Sequence, residues 1–326
     1  MHSQYSRRHF LSTMGAVVGA SGAVVGAAGA ALGATASTPG NAAAGTARPA
    51  TRPTQAAREM TIQDVINLIT NEIPGAPQDG SVDTFKAGDP SRLVTGIVST
   101  FLATSNVIES AAALGANLII THEPTYYNHL DATDWLPDDP VYAHKRRLLD
   151  EHGIAVWRFH DYWHLVRPDG ILAGFLKKLD WEDFPISESD RRDLPSTLEI
   201  PPTTVAELAA YCKGRLKIDH PLQLVGDPEM TCRKVGLMLG AYGGRGQIEF
   251  LRRSEVDVLL VGEINEWETS VYVQDARSMG RATSLLILGH ANSEEPGMEF
   301  LVDWLQPLVP DVPVRHVPGG DPFVLV

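Results

Sequence analysis

Leu118-Ile119-Ile120-Thr121-His122-Glu123-Pro124 is the stretch that decides the fold. An unbroken apolar run of strand length reads as a strand buried on both faces, and its carboxyl end is where open α/β sheets hold their ligands. Asp257-Val258-Leu259-Leu260-Val261-Gly262-Glu263 has the same build 140 residues later. Gly96-Ile97-Val98 precedes Glu123 by 27 residues, and Gly236-Leu237-Met238 precedes Glu263 by the same interval. Downstream, each segment reaches an apolar strand that ends on a histidine, with a second ligand-type residue four positions on: His160 and His164, then His290 and Glu294. The pattern predicts an α/β protein made of two duplicated halves, with metal-type side chains at matching strand ends and the site between the halves.

Around these strands, helical and extended patterns alternate. Thr61-Ile62-Gln63-Asp64 resembles a capping box that opens a helix to about Glu72. A strand near 95–101, a helix near 105–114, a helix near 140–152 closed by Gly153 and the strand 154–159 follow. The second half reads as strand 234–239, helix 245–253, strand 257–261, helix 267–279, strand 284–288, helix 295–306 and short strands near 312–317 and 322–326. We divide the chain into a first half at 59–185, a bridging segment at 186–230 with one helix near 203–213, and a second half at 231–326.

The N-terminal 36 residues read as an address. Ser6-Arg7-Arg8-His9-Phe10-Leu11 matches the twin-arginine export motif, followed by a weakly apolar Ala/Gly/Val run and a small-residue cleavage site at Ala34-Thr35-Ala36. The working protein is therefore expected outside the cytoplasmic membrane, periplasmic or extracellular, with no stable membrane anchor after cleavage. Residues 37–58, rich in Ala, Thr, Pro and Gly, read as a disordered leader. A chain of 326 residues with 44% apolar content can bury sizeable cores, and its formal net charge of −13 argues against nucleic acid as a partner. Cys212 and Cys232 lie in no metal-type spacing, and apolar burial is the expected fate of both.

The mixture of imidazole and carboxylate suits Zn²⁺, Mn²⁺ or Fe²⁺ better than Mg²⁺ or Ca²⁺. Five candidate ligands exceed what one catalytic zinc needs and suit two ions about 3.5–4 Å apart. A single histidine at a strand end is more often structural, but the repetition shifts the weight toward function. Glu263 and Asp161 are the candidate proton-handling groups, with a ligand-orienting or helix-capping role as the plainer reading. His129, His144, His152, His220 and His316 fall outside the repeated frame, and Tyr126, Tyr127, Tyr162 and Trp163 either wall a pocket or pack beneath a loop.

The 118–124 run, the His160 segment, Val261-Gly262-Glu263 and Gly289-His290-Ala291-Asn292-Ser293-Glu294 together resemble the dinuclear metal-centre family known as GTP cyclohydrolase 1 type 2-like, over roughly 60–326 and in its compact form. The resemblance implies two interlinked α/β halves, a two-metal site between them and a homohexamer assembled as a trimer of dimers. Its metal ligands fall on His122, Glu123, His164, His290 and Glu294. Glu123 stands where the family commonly has a second histidine, and His164 where it has an aspartate, so the exchange conserves ligand count and charge. His160 occupies a position that orients ligands. These readings lead to an exported hydrolase acting through metal-activated water on a small-molecule substrate. A non-catalytic metal-binding or storage protein, and a GTP cyclohydrolase-like enzyme, are the alternatives.

Overall fold

A computed structural model describes residues 59–186 and 194–324; the export motif and leader lie outside the described residues. Two five-stranded sheets carry the fold. In the first, β2 (Ile97–Thr100), β3 (Leu118–Thr121) and β4 (Ala155–Arg158) are parallel, and β1 (Phe85–Ala87) pairs antiparallel with β4. In the second, β7 (Thr231–Met238), β8 (Val258–Val261) and β9 (Ser284–Ile287) are parallel, flanked by antiparallel β5 (Ser196–Thr204) and β6 (Gln223–Val225). The bridging segment thus supplies both edge strands of the second sheet. Conversely β10 (Val314–His316), from the end of the chain, pairs parallel with β2 and completes the first sheet. This exchange is what interlinks the halves.

Strand alternation sorts the core into layers. Leu118 and Ile120, like Val258 and Leu260, face a common interior layer, whereas Ile119 and Leu259 face outer helices. The interior layer holds α1 (Ile62–Asn71), α5 (Gly170–Lys178), α6 (Val205–Leu216) and α9 (His290–Leu305). The first sheet is covered outside by α2 (Ser105–Ala113) and α3 (Pro140–His152), the second by α7 (Gly243–Arg253) and α8 (Val271–Ser278). Each aliphatic side chain so buried contributes about 1.5–3 kcal/mol, which fixes strand register firmly. Thr61 and Asp64 form the predicted capping box, and Gly153 closes α3 in the left-handed conformation.

Helices α5 and α9 join the halves at close range. A Cβ on Gly174 would lie 2.3 Å from the Pro296 carbonyl oxygen, and one on Gly297 would lie 2.5 Å from Ile171 Cδ1. Only glycine permits this approach. Tyr211 of α6 also ties the bridging segment to the first half by donating to the Leu179 carbonyl at 2.6 Å. Cys212 and Cys232 are buried and unpaired. Among the described residues no helix is long and apolar enough to cross a membrane.

Several elements differ from the sequence reading. Helix α9 begins at His290, with Pro296 in its interior, five residues before the predicted start. The predicted helix at 267–279 opens as a π-helical turn over Glu266–Ser270 before α8. Helix α5, the short helix α4 (Asp161–Leu165) and the edge strands β1, β5 and β6 had no counterpart in the periodicity. The equal 27-residue intervals also do not mark equivalent positions throughout. β3 and β8 match at an offset of 140, but the register Ile97↔Leu118 against Val235↔Val258 sets β2 and β7 at an offset of 138. A two-residue shift leaves every side chain on its original face, so the repeat survives it.

Candidate metal centre

His122 and Glu123 leave the carboxyl end of β3, their N–H groups donating to the Thr100 and Phe101 carbonyls. His122 is fully buried, and its Nδ1 lies 3.1 Å from the Phe159 carbonyl oxygen. Nδ1 therefore carries the proton and Nε2 a lone pair. That Nε2 is buried without a hydrogen-bond partner. Such an orphaned acceptor is uncommon in a folded interior and is what a metal ligand offers.

Two further histidines present themselves in the same way. His160 precedes α4, whose first turn is anchored by Asp83: its carboxylate accepts the N–H groups of His160, Asp161 and Tyr162 at 2.8, 3.0 and 2.7 Å. Asp161 holds His160 Nδ1 at 2.9 Å and accepts from Ser81 and Val82 with its other oxygen. His164 Nδ1 lies 2.7 Å from Asp169, which also N-caps α5 by accepting from Ile171 and Leu172. With all three Nδ1 atoms engaged, Nε2 is the atom each ring offers. The ligand atoms of His122, His160 and His164 lie within 4.8 Å of one another. The family resemblance gives His160 an orienting role; in the structure its ligand atom also lies close to those of His122 and His164.

The second half supplies the remaining groups. Ligand atoms of His122, Glu123 and Glu294 form another group within 4.8 Å, and Glu294 Oε2 lies 3.0 Å from His290 Nε2. His290 Nε2 is also 3.6 Å from Glu123 Oε1, and its Nδ1 is 3.3 Å from Glu263 Oε2. Room for Glu294 is made by Gly240, at φ +79°, where a Cβ would stand 2.0 Å from Glu294 Oε1. Ser293 lies inside the first turn of α9. Its hydroxyl accepts from the Gly240 N–H and donates to the His290 carbonyl. By strand register His290 matches Asp161, because Arg158 stands opposite Thr121 and Ile287 opposite Val261, so the repeat places His290 one residue beyond His160.

Charge in the site is balanced by protons. Burial, then the neighbouring His160 and His164, holds His122 well below the ordinary histidine range. Burial also opposes charge on His290, but Glu123, Glu263 and Glu294 override it and push the ring up to about 12. His164 is raised to about 9 against burial, mainly by Asp169. Glu123 stays below its usual range despite burial, because His290, His160 and Arg158 favour its charged form. Divalent cations would take over the work of these protons.

Sequence reasoning missed the residues that hold the ligands. Arg158, fully buried, donates to the His122 carbonyl at 3.1 Å, to the His129 carbonyl, and reaches Glu123 Oε2 at 3.4 Å. A charged residue inside an otherwise apolar strand was the available signal. Asp169, whose helix the periodicity did not reveal, and Asp83 were not singled out. Glu263 is steadied through its carbonyl, which accepts from Gln247.

A cavity of about 1450 Å³ opens onto this cluster and is lined by Glu123, His160, His164, Glu263, His290 and Glu294 among others. Asp161 is not on its wall. Tyr127, His129 and His220 are, whereas Tyr126, Tyr162 and Trp163 are buried in packing. His316 pairs with Glu295.

Comparison with known proteins agrees with this architecture. A Clostridium perfringens protein named GTP cyclohydrolase 1 type 2 homolog is 25% identical over 73% of this chain and 88% of its own length. A Streptomyces coelicolor protein of the same name is 26% identical over 65% of this chain and 74% of its own. Among solved structures, a hypothetical Staphylococcus aureus protein superposes with a TM-score of 0.65 at 18% identity, covering 82% of this chain and 99% of that one. A Bacillus cereus protein related to NIF3 gives 0.66 at 15% identity, covering 82% and 100%. The Duf34/NIF3 (NGG1p interacting factor 3) family profile matches residues 60–318, and the chain belongs to that family.

Proposed function

We propose that the protein is an exported hydrolase that uses two divalent transition-metal ions, Zn, Mn or Fe, to act on a small molecule. The observation that carries this reading is a buried His/Glu cluster with an orphaned His122 Nε2 that borders a cavity rather than a closed shell. A storage site needs no such cavity, and a catalytic one needs an open position. The residues to hold the ions are His122, Glu123, His164, His290 and Glu294, with His160 added by its placement. One His122 lone pair serves only one ion, so a second ion draws on the remaining groups.

Bound ions would supply Lewis-acid polarisation and an activated water at neutral pH. The chain's own groups do the rest. Asp161 and Asp169 fix the rings of His160 and His164 and keep their Nδ1 atoms protonated. Glu263, at the cavity wall, is held ionised by His290 against its Oε2 and is the group we assign to accept a proton. Asp161 lies off the wall and acts by positioning. The names of the curated relatives add GTP to the substrates to be tried.

Elemental analysis of the purified protein beside Glu123→Ala and His290→Ala tests this reading. Close to two ions per chain, lost in both variants, with turnover of an ester, amide, lactone, phosphoester or GTP, supports it. Retained metal without any turnover returns the storage alternative, and metal-free protein with unchanged variants sinks the metal mechanism.

Two expectations complete the proposal. Export rests on the Arg7-Arg8 motif, and Arg7→Lys/Arg8→Lys should leave the protein unprocessed in the cytoplasm. A homohexamer rests on the family resemblance, and light scattering of the purified protein should give six chains.

A further inference from the structure

Lys145 is an unusual residue for the wall of this cavity. It belongs to α3, is 8% exposed, and lines the cavity together with Thr125 and Tyr127. Its Nζ donates to the Thr125 carbonyl at 2.8 Å and sits 5.0 Å from the centre of the Tyr127 ring. Among the described residues no carboxylate lies within ion-pairing distance of it; Asp131, which acts on it from farther away, is already shared between Lys86 and Arg158. Burying an ammonium with one neutral acceptor and one aromatic face is costly, and this chain has 40 acidic side chains from which a partner was available. Beside it, Thr125 is 1% exposed and its hydroxyl has no hydrogen-bond partner. A buried cation with one neutral acceptor and a buried hydroxyl without a partner therefore belong to residues in the wall of one cavity.

The loop that carries Thr125 and Tyr127 is firmly built. Tyr126 N–H donates to Asp131, Asn128 bonds the Tyr126 and Ala132 carbonyls, and Asp131 pairs with Lys86 at 3.3 Å. Tyr127 is held at φ +64°, in the left-handed region that a bulky residue seldom adopts. Thr125 follows the metal-type Glu123 by two residues, so their backbones are at most about 7 Å apart.

We infer that Lys145 and Thr125 form an anion subsite beside the metal cluster, which takes a carboxylate or phosphate group of the substrate. The substrate class becomes a small anionic molecule whose charged group sits a few bonds from the bond to be broken, with Tyr127 flanking it. The assignment of the anion to the substrate rests on the hydrolase reading; the subsite itself does not. Burial lowers the Lys145 ammonium to about 8, and the attraction of Asp131 offsets only part of that shift.

The test is calorimetric titration of the full chain, as purified and after chelator treatment, with inorganic phosphate and with acetate. Binding of at least one probe should persist in the chelated protein, weaken roughly tenfold in Lys145→Met and be largely kept in Lys145→Arg. Phosphate alone or acetate alone identifies which anion the subsite prefers. Thr125→Val supplies a second readout that a structural role would not give. Removing an orphaned hydroxyl should raise the melting temperature while weakening the same probe several-fold. Binding that vanishes with the metal, binding unchanged in Lys145→Met, or no binding of either probe would overturn the subsite. Because the chelated protein is used, loss of the metal mechanism would leave this result readable.

Discussion

Glu294 Oε2 of helix α9 stands 3.5 Å from His122 Nε2 at the end of strand β3, so the cluster is complete only where the two halves meet. Neither half alone holds it. The contact depends on Gly240, whose φ of +79° and absent Cβ leave room for the Glu294 carboxylate. Gly240→Ala should cost about 1–2 kcal/mol from backbone conformation alone and push Glu294 aside. Urea unfolding and metal content measured on the same preparation should both fall. An unchanged metal content would mean that Glu294 is not a ligand.

Arg158 binds the strand ends together from below. It is fully buried between Glu123 and Asp131, at 3.4 and 3.8 Å. Removing one partner of such a network strands the others, so Arg158→Met should lower stability by about 3–5 kcal/mol. Arg158→Lys keeps the charge but cannot reach His122, His129 and Glu123 at once, and should recover only part of it. Denaturant midpoints at constant slope measure both.

His164 makes the metal-free protein sensitive to pH. Its folded value of about 9 lies above the ordinary 6.5, through Asp169 acting against burial. A raised value means that the stabilisation is fully present below about pH 6.5 and is lost as pH rises through about 9. The melting temperature of chelated protein should therefore decline across that window, and Asp169→Asn should flatten the decline. Metal uptake follows the opposite course. Ions must displace protons from His164 and His290, so apparent affinity should rise with pH over the same range and binding should acidify an unbuffered solution.

The sequence displayed the parts of this site that depend on strand periodicity and hid those that depend on loops meeting in space. His122, Glu123, His290 and Glu294 were legible because unbroken apolar strands end just before them. Asp83 was not, since it reaches the His160 turn from 77 residues away. Helix α5 escaped notice because Gly-Ile-Leu-Ala-Gly-Phe-Leu is apolar on all sides, as a helix inside a shared core must be, and so lacks a polar face to reveal its period. The orientation of His160 was hidden for a similar reason. It is set by Asp161 holding Nδ1, a contact that spacing does not encode.

The α5–α9 clasp gives a prediction about assembly of the site that leaves its ligands untouched. Gly174 meets Pro296 and Gly297 on a neighbouring helix, and a methyl group there would stand 2.3 Å from a carbonyl oxygen that cannot swing away. Gly174→Ala should therefore separate the helices, at a cost of about 1–3 kcal/mol. Since α9 carries His290 and Glu294 at its N-terminus while α5 is capped by Asp169, the partner of His164, a shift between the helices moves second-half ligands relative to first-half ligands. Metal affinity should drop along with the melting temperature. By contrast Gly214→Ala, on the open face of α6 where nothing lies within 4 Å of the new methyl group, should leave metal affinity unchanged and stabilise the helix by about 1 kcal/mol. Equal behaviour of the two variants would show that the halves are not positioned by this contact.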